Sequence, residues 1–173
     1  MTRFRFDQFS KQYLEELLSP FGEVTIGKEL LGEARQIDVW FVPNLGQAEE
    51  FNALGLLGRL GDVPCLLEAY RNSPKPSEIR DCLLKLFLTQ ADEQRQAKRN
   101  KQTLPEIHLP RLWVIVTSAP DSLINGFSAT TDEPNWGAGI YFLPQHLHTG
   151  IIAVDQLPPS SDTLWLRLFG TNG

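Results

Sequence analysis

Two short segments of this chain read as buried strands, and each carries a carboxylate that a buried strand should not hold. They are Ile37-Asp38-Val39-Trp40-Phe41 and Cys65-Leu66-Leu67-Glu68-Ala69-Tyr70. An ionised carboxylate is costly to bury without compensation. Two on neighbouring strands repel each other unless a divalent cation lies between them or one keeps its proton. A fold for this chain must therefore separate Asp38 from Glu68 or find something to balance them.

The surrounding pattern supplies candidate elements. Phe6, Phe9, Tyr13, Leu14, Leu17 and Leu18 recur at helical spacing, and Pro20 with Gly22 ends the run, which predicts a helix over Phe6 to Leu18. Val24, Ile26 and Leu30 predict a strand over Glu23 to Leu31. Gly32-Glu33 then turns the chain into a second strand, Arg35 to Val42, so the two read as an antiparallel hairpin. A short helix between Gln47 and Leu60 is interrupted by Gly55 and Gly58. Pro64 opens a third strand, Cys65 to Arg71. Ser77 reads as the N-cap of a helix that runs through Ile79, Leu83, Leu86 and Phe87 to about Gln102. Leu112 to Thr117 is an apolar fourth strand. Ile140 to Leu143 and Ile151 to Val154 read as two more, and Ser161 to Phe169 as a closing helix. The expected class is α/β, a mixed sheet with flanking helices and a strand-rich C-terminal tail. Residues 1–173 read as one domain, with a core over about 6–117 and an extension over about 118–173.

Composition narrows the function. No apolar run reaches the roughly 18 residues of a membrane span, and Met1 to Ser10 does not resemble a secretory signal. The cytoplasm is the expected compartment, with no membrane partner. Cys65 and Cys82 read as buried thiols, since no paired Cys-x-x-Cys is present. A net charge of −5 argues against non-specific nucleic-acid binding over the whole surface but leaves room for a local basic patch. There is no Gly-x-Ser-x-Gly elbow and no Walker-type loop, which removes support for acyl hydrolase and P-loop chemistry.

The order of helix, hairpin with an aspartate, strand with a glutamate, helix and strand resembles the PD-(D/E)xK nuclease core. The segments YLEELLSPFGEV, RQIDVWFVPN, CLLEAYRNSP, IRDCLLKLF and LPRLWVIVTS are also similar to uncharacterised cyanobacterial proteins grouped near the Rpn-type recombination-promoting nucleases and transposase-like proteins. The core resemblance spans about Phe6 to Thr117. It implies a restriction-endonuclease-like fold and a metal-dependent DNA endonuclease linked to mobile elements. It implies magnesium or manganese as cofactor and DNA as partner. Asp38 matches the metal-binding aspartate of that family and Glu68 the acidic residue of its third strand. Glu16 or Glu15 matches the glutamate that many members place on the first helix. Glu16 is preferred because it borders the apolar face of Phe9, Tyr13 and Leu17.

The chain departs from the family pattern at three places. Ile37 stands where a proline is usual, the step from Asp38 to Glu68 is long, and Tyr70 occupies the lysine position. Related nucleases supply the lysine from elsewhere, so Arg71, Arg80 and Lys85 are the substitutes. Lys85, inside the apolar helix after the third strand, is the preferred catalytic cation.

Physically, phosphodiester hydrolysis needs an activated water and a cation on the phosphate. Magnesium is held by one or two carboxylates plus water and substrate oxygens. Asp38 and Glu68 suit it, and the carbonyl of Ala69 would add a third oxygen. In the competing reading both carboxylates sit in structural ion pairs, Asp38 with Arg35 or Arg71 and Glu68 with Arg59 or Arg80. The alternative function is then a catalytically degenerate protein acting as an interaction or nucleic-acid-binding module. A homodimer would suit a nuclease that cuts both strands.

Other features have plainer explanations. Arg95, Lys98, Arg99 and Lys101 read as a solvated helix end, where cations are favourable, with phosphate tracking as the alternative. His108, His146 and His148 read as surface residues. Trp113 and Trp165 read as core, and Trp136 as an anchor of the tail rather than a base-stacking surface. Gly137-Ala138-Gly139 reads as a turn into a strand.

Overall fold

The computed structural model describes residues 2–29 and 35–171. Helix α1 (Thr2–Leu18) leads into strand β1 (Gly22–Glu29), and β2 (Gln36–Pro43) follows. Two short helices, α2 (Ala48–Phe51) and α3 (Leu56–Leu60), precede β3 (Cys65–Tyr70). The long helix α4 (Pro76–Arg99) then crosses to β4 (Arg111–Val116). The tail adds α5 (Asp121–Gly126), β5 (Thr130–Thr131), α6 (Glu133–Trp136), β6 (Ile140–Phe142), β7 (Thr149–Ala153) and α7 (Leu164–Thr171).

All seven strands join one mixed sheet in the order β1-β2-β3-β4-β7-β6-β5. The centre, β3-β4-β7, is parallel. An antiparallel pair flanks it on each side: β1-β2 on one, β6-β5 on the other. Parallel strands are covered on both faces, so they read as continuous apolar runs. Alternate residues divide between two cores. Leu67, Trp113, Ile115 and Ile152 pack toward Leu14, Leu18, Leu57 and Phe169 of α1, α3 and α7. Leu66, Leu112, Val114 and Ile151 pack toward Ile79, Cys82 and Leu86 of α4 and Leu123 of α5. The fold is α/β, a seven-stranded mixed sheet with flanking helices. No helix among the described residues is long and apolar enough to cross a membrane.

Several boundaries differ from expectation. The Gly32-Glu33 turn, with Leu30 and Leu31, lies outside the described residues. The N-cap of α4 is Lys75, not Ser77. Pro76 takes the first helical position, where a missing N–H costs nothing, and the Glu78 carboxylate accepts the Lys75 N–H at 3.0 Å. The interruption expected at Gly55 is present, and φ there is 58°. The tail is more than an appendage: β7 pairs with β4 along its length, and Phe169 of α7 is fully buried.

Trp136 is half-buried against Trp113 and Phe142, with the Arg59 guanidinium 3.6 Å above its ring, so it anchors the tail to the core. Cys65 and Cys82 are buried free thiols. His146 and His148 both approach the Glu106 carboxylate, at 3.5 Å and 2.9 Å. The basic run ends α4 in solvent, where Arg95 pairs with Asp92 at 3.7 Å.

Candidate functional site

Strands β2 and β3 pair antiparallel, with Trp40 opposite Leu66 and Val39 opposite Leu67. Continued by one residue, that register sets Asp38 opposite Glu68. The ladder stops there, and the Asp38 N–H points instead at the Glu68 side chain, 3.4 Å from Oε1. On the other edge of β2, the pairs Ile26–Val39 and Lys28–Ile37 bracket Asp38 with Gly27. Gly27 has a φ of 67°, a left-handed conformation that glycine adopts without a side-chain clash. Ile37 and Trp40 both join the α4-side core, although strict alternation would send them to opposite faces. The strand therefore changes course at Asp38, and the two strands part where the carboxylates sit.

The gap opens into a cleft of about 950 Å³ lined from both sides of the sheet. Helix α1 contributes Phe6 and Asp7, and α4 contributes Glu78, Asp81 and Lys85. Asp38, Glu68 and Tyr70 come from the strands, and residues 71–75 form the rim. Lys85 lies on one flank of the stripe formed by Ile79, Cys82 and Leu86, so its stem packs while its ammonium reaches inward.

Glu68 is only 2% exposed. Its Oε1 accepts a hydrogen bond from Lys85 Nζ at 3.0 Å. Asp38 is more open, and its Oδ1 lies 3.8 Å from Lys11 Nζ. Lys11 also bonds Asp7 at 2.9 Å. Burial pushes the Glu68 carboxyl up, to about 8, the neighbouring Asp38 charge adds to the rise, and Lys85 pulls it partly back. Burial works to lower the Lys85 ammonium, but the charge and hydrogen bond of Glu68 outweigh it, and the net direction is up. Lys11 follows the same logic: burial lowers it, Asp7 and Asp38 raise it, and the rise wins. Two lysines thus stand beside the two carboxyls, and burial with the Asp38 charge favours the protonated form of Glu68.

The structure thus brings Asp38, Glu68 and Lys85 together. It does not bring Glu16 to them: Glu16 is exposed and accepts a hydrogen bond from Gln12 at 3.1 Å. The reason is helical phase. Phe6, Ser10, Leu14 and Leu18 are the buried line of α1, and Glu16 lies beyond the aromatic flank, where Phe9 and Tyr13 meet Phe169. Asp7 and Lys11 occupy the opposite flank, which faces the cleft. Sequence reasoning missed both, although their i, i+4 spacing beside buried positions was a usable signal. The arginine ion pairs of the competing reading do not form as expected. Arg35 bonds Asp81 at 3.1 Å, Arg59 bonds the Asn135 carbonyl, and the two carboxylates take lysines instead.

Among the described residues, no group of three or more His, Cys, Asp or Glu side chains could hold a metal ion. That donor set does not suit a closed, zinc-like cage, which wants four protein ligands. Two adjacent carboxylates do suit magnesium, which keeps several waters. No family model, curated protein or solved structure matches this chain.

Proposed function

We propose that this protein is a metal-dependent nuclease that hydrolyses phosphodiester bonds in DNA, with Asp38 and Glu68 holding magnesium or manganese. The observation that carries the reading is a carboxyl 2% exposed, beside a second carboxylate and 3.0 Å from a lysine, at the floor of a cleft. Such an arrangement costs stability. A strongly perturbed carboxyl in a cleft is a functional-site candidate. The element order α1-β1-β2-β3-α4-β4 supports a restriction-endonuclease-like core. A link to mobile elements, a cytoplasmic location and a homodimer belong to the same proposal.

When bound, the divalent ion would supply an activated water and offset charge at the scissile phosphate. The chain's own residues do the rest. Asp38 and Glu68, both lining the cleft, would supply its carboxylate ligands. Lys85 holds Glu68 in place and offers a cation for developing negative charge. Lys11 holds Asp38, and Asp7 takes the helix position expected of Glu16.

The test is cleavage of supercoiled plasmid with magnesium or manganese. Asp38→Ala and Glu68→Ala should each abolish nicking, and Lys85→Met should slow it about 10²- to 10³-fold, the usual loss of a charge-stabilising group. Unchanged cleavage by Asp38→Ala would sink the reading.

A second reading is favoured by one observation. Each carboxylate already has a lysine, so the cluster is balanced without a metal, as in a nuclease-like protein that has lost its chemistry and serves as an interaction module. Calorimetric titration separates the two: the degenerate protein shows no magnesium or manganese binding that depends on Asp38 and Glu68.

A further inference from the structure

Tyr70 stands where the resemblance leads one to expect a lysine; it lines the cleft beside Glu68 and is half-buried against the α4-side core. Its hydroxyl is 3.2 Å from Cys82 Sγ on α4, which fixes the ring from behind. Beside it, the half-buried Arg71 lines the same cleft, and its guanidinium makes no hydrogen bond or ion pair among the described residues. Lys75 sits at the exposed rim. The other cations of the cleft are engaged: Lys85 by Glu68 and Arg35 by Asp81.

We infer that the cleft takes an unpaired nucleic-acid strand, with a base stacked on Tyr70 and a phosphate on Arg71, rather than continuous duplex. The inference rests on the nuclease reading of the same site. Four observations carry it. The carboxyl that must approach the phosphate is 2% exposed, so the strand that reaches it must bend into the cleft, which costs a stiff duplex far more than a flexible single strand. The volume, about 950 Å³, is within the range of pockets that enclose one small ligand, about 300–1,000 Å³, and so accommodates a few linked nucleotides. Duplex binding draws its affinity from many neutralised phosphates, whereas this cleft offers Arg71 and Lys75. An aromatic ring beside a free cation is the usual platform for a single strand.

The experiment measures binding of a fluorescent single-stranded oligonucleotide, and of its duplex, to full-length Asp38→Asn protein in magnesium, by anisotropy. Cleavage of both substrates by the wild-type protein is run alongside. The expected result is single-strand binding about tenfold or more tighter than duplex. Tyr70→Ala and Arg71→Ala should each weaken it by about five- to tenfold, the low end of the loss of one stacked base, and Tyr70→Phe should leave it unchanged. Arg71 lies at the rim, so Arg71→Ala keeps the test valid even where Tyr70→Ala fails to fold. Equal or tighter duplex binding overturns the inference, as does single-strand binding indifferent to Arg71→Ala. Metal-dependent cleavage confined to duplex overturns it while leaving the nuclease reading intact. Single-strand binding without cleavage leaves the inference standing and defeats the nuclease reading.

Discussion

Glu68 is the residue on which the molecule's chemistry and its stability meet. Its carboxyl titrates near 4.5 in the unfolded chain and is pushed up to about 8 by burial and by Asp38 in the native state. The native protein therefore binds a proton that the unfolded chain has lost over that interval. Stability must fall as pH rises through the window, by at most about 1.4 kcal/mol per pH unit from this one group. Below the unfolded value both states hold the proton and the slope vanishes. Glu68→Gln carries no titrating proton, so its urea midpoint should drop less than that of the wild type between pH 5 and pH 8. Saturating magnesium, which favours the ionised form, should flatten the wild-type curve in the same way. A wild-type curve no steeper than that of Glu68→Gln would show that Lys85 alone balances the charge.

At the scale of elements, the strands were legible and their ends were not. Apolar runs such as Leu112 to Thr117 were long enough to identify, because both faces of β4 are buried and the signal is continuous. Asp38 and Glu68 stood out for the same reason, as charges inside such runs. The phase of α1 is harder: Tyr13 and Leu17 suggest the centre of its apolar face, yet they flank the buried line of Phe6, Leu14 and Leu18, and the preference for Glu16 over Glu15 follows from that. Lys85 was recoverable because an apolar stripe fixed the phase of α4. The two-residue strand β5 and the pairing partner of β4 could not be read, since both depend on contacts between distant segments. One such contact gives a prediction. Gly150 of β7 lies under the Trp113 ring, where a Cβ would overlap the indole, and Trp113 is itself tied by its Nε1–H to the Leu60 carbonyl at 3.0 Å. Gly150→Ala should destabilise the protein by about 1–3 kcal/mol through overpacking, measurable as a lower urea midpoint with an unchanged slope.

For the whole molecule, the decisive feature is that β4 is central. It is hydrogen-bonded in parallel to β3 on one side and β7 on the other. A fragment of residues 1–117 contains every proposed site residue but leaves that inner strand as an open apolar edge and removes Phe169 from beneath α1. Such an edge favours aggregation. The fragment should lack a cooperative thermal transition by circular dichroism, whereas the full chain should melt in one step. The same topology sets a schedule during synthesis. A ribosome adds about 5–20 residues per second, so several seconds separate the appearance of Lys85 from the emergence of β7 and α7. The nascent chain carries the cluster's residues throughout that interval without the frame that holds them together. The cluster of Asp38, Glu68 and Lys85 thus waits for β7 and α7 before its frame is complete.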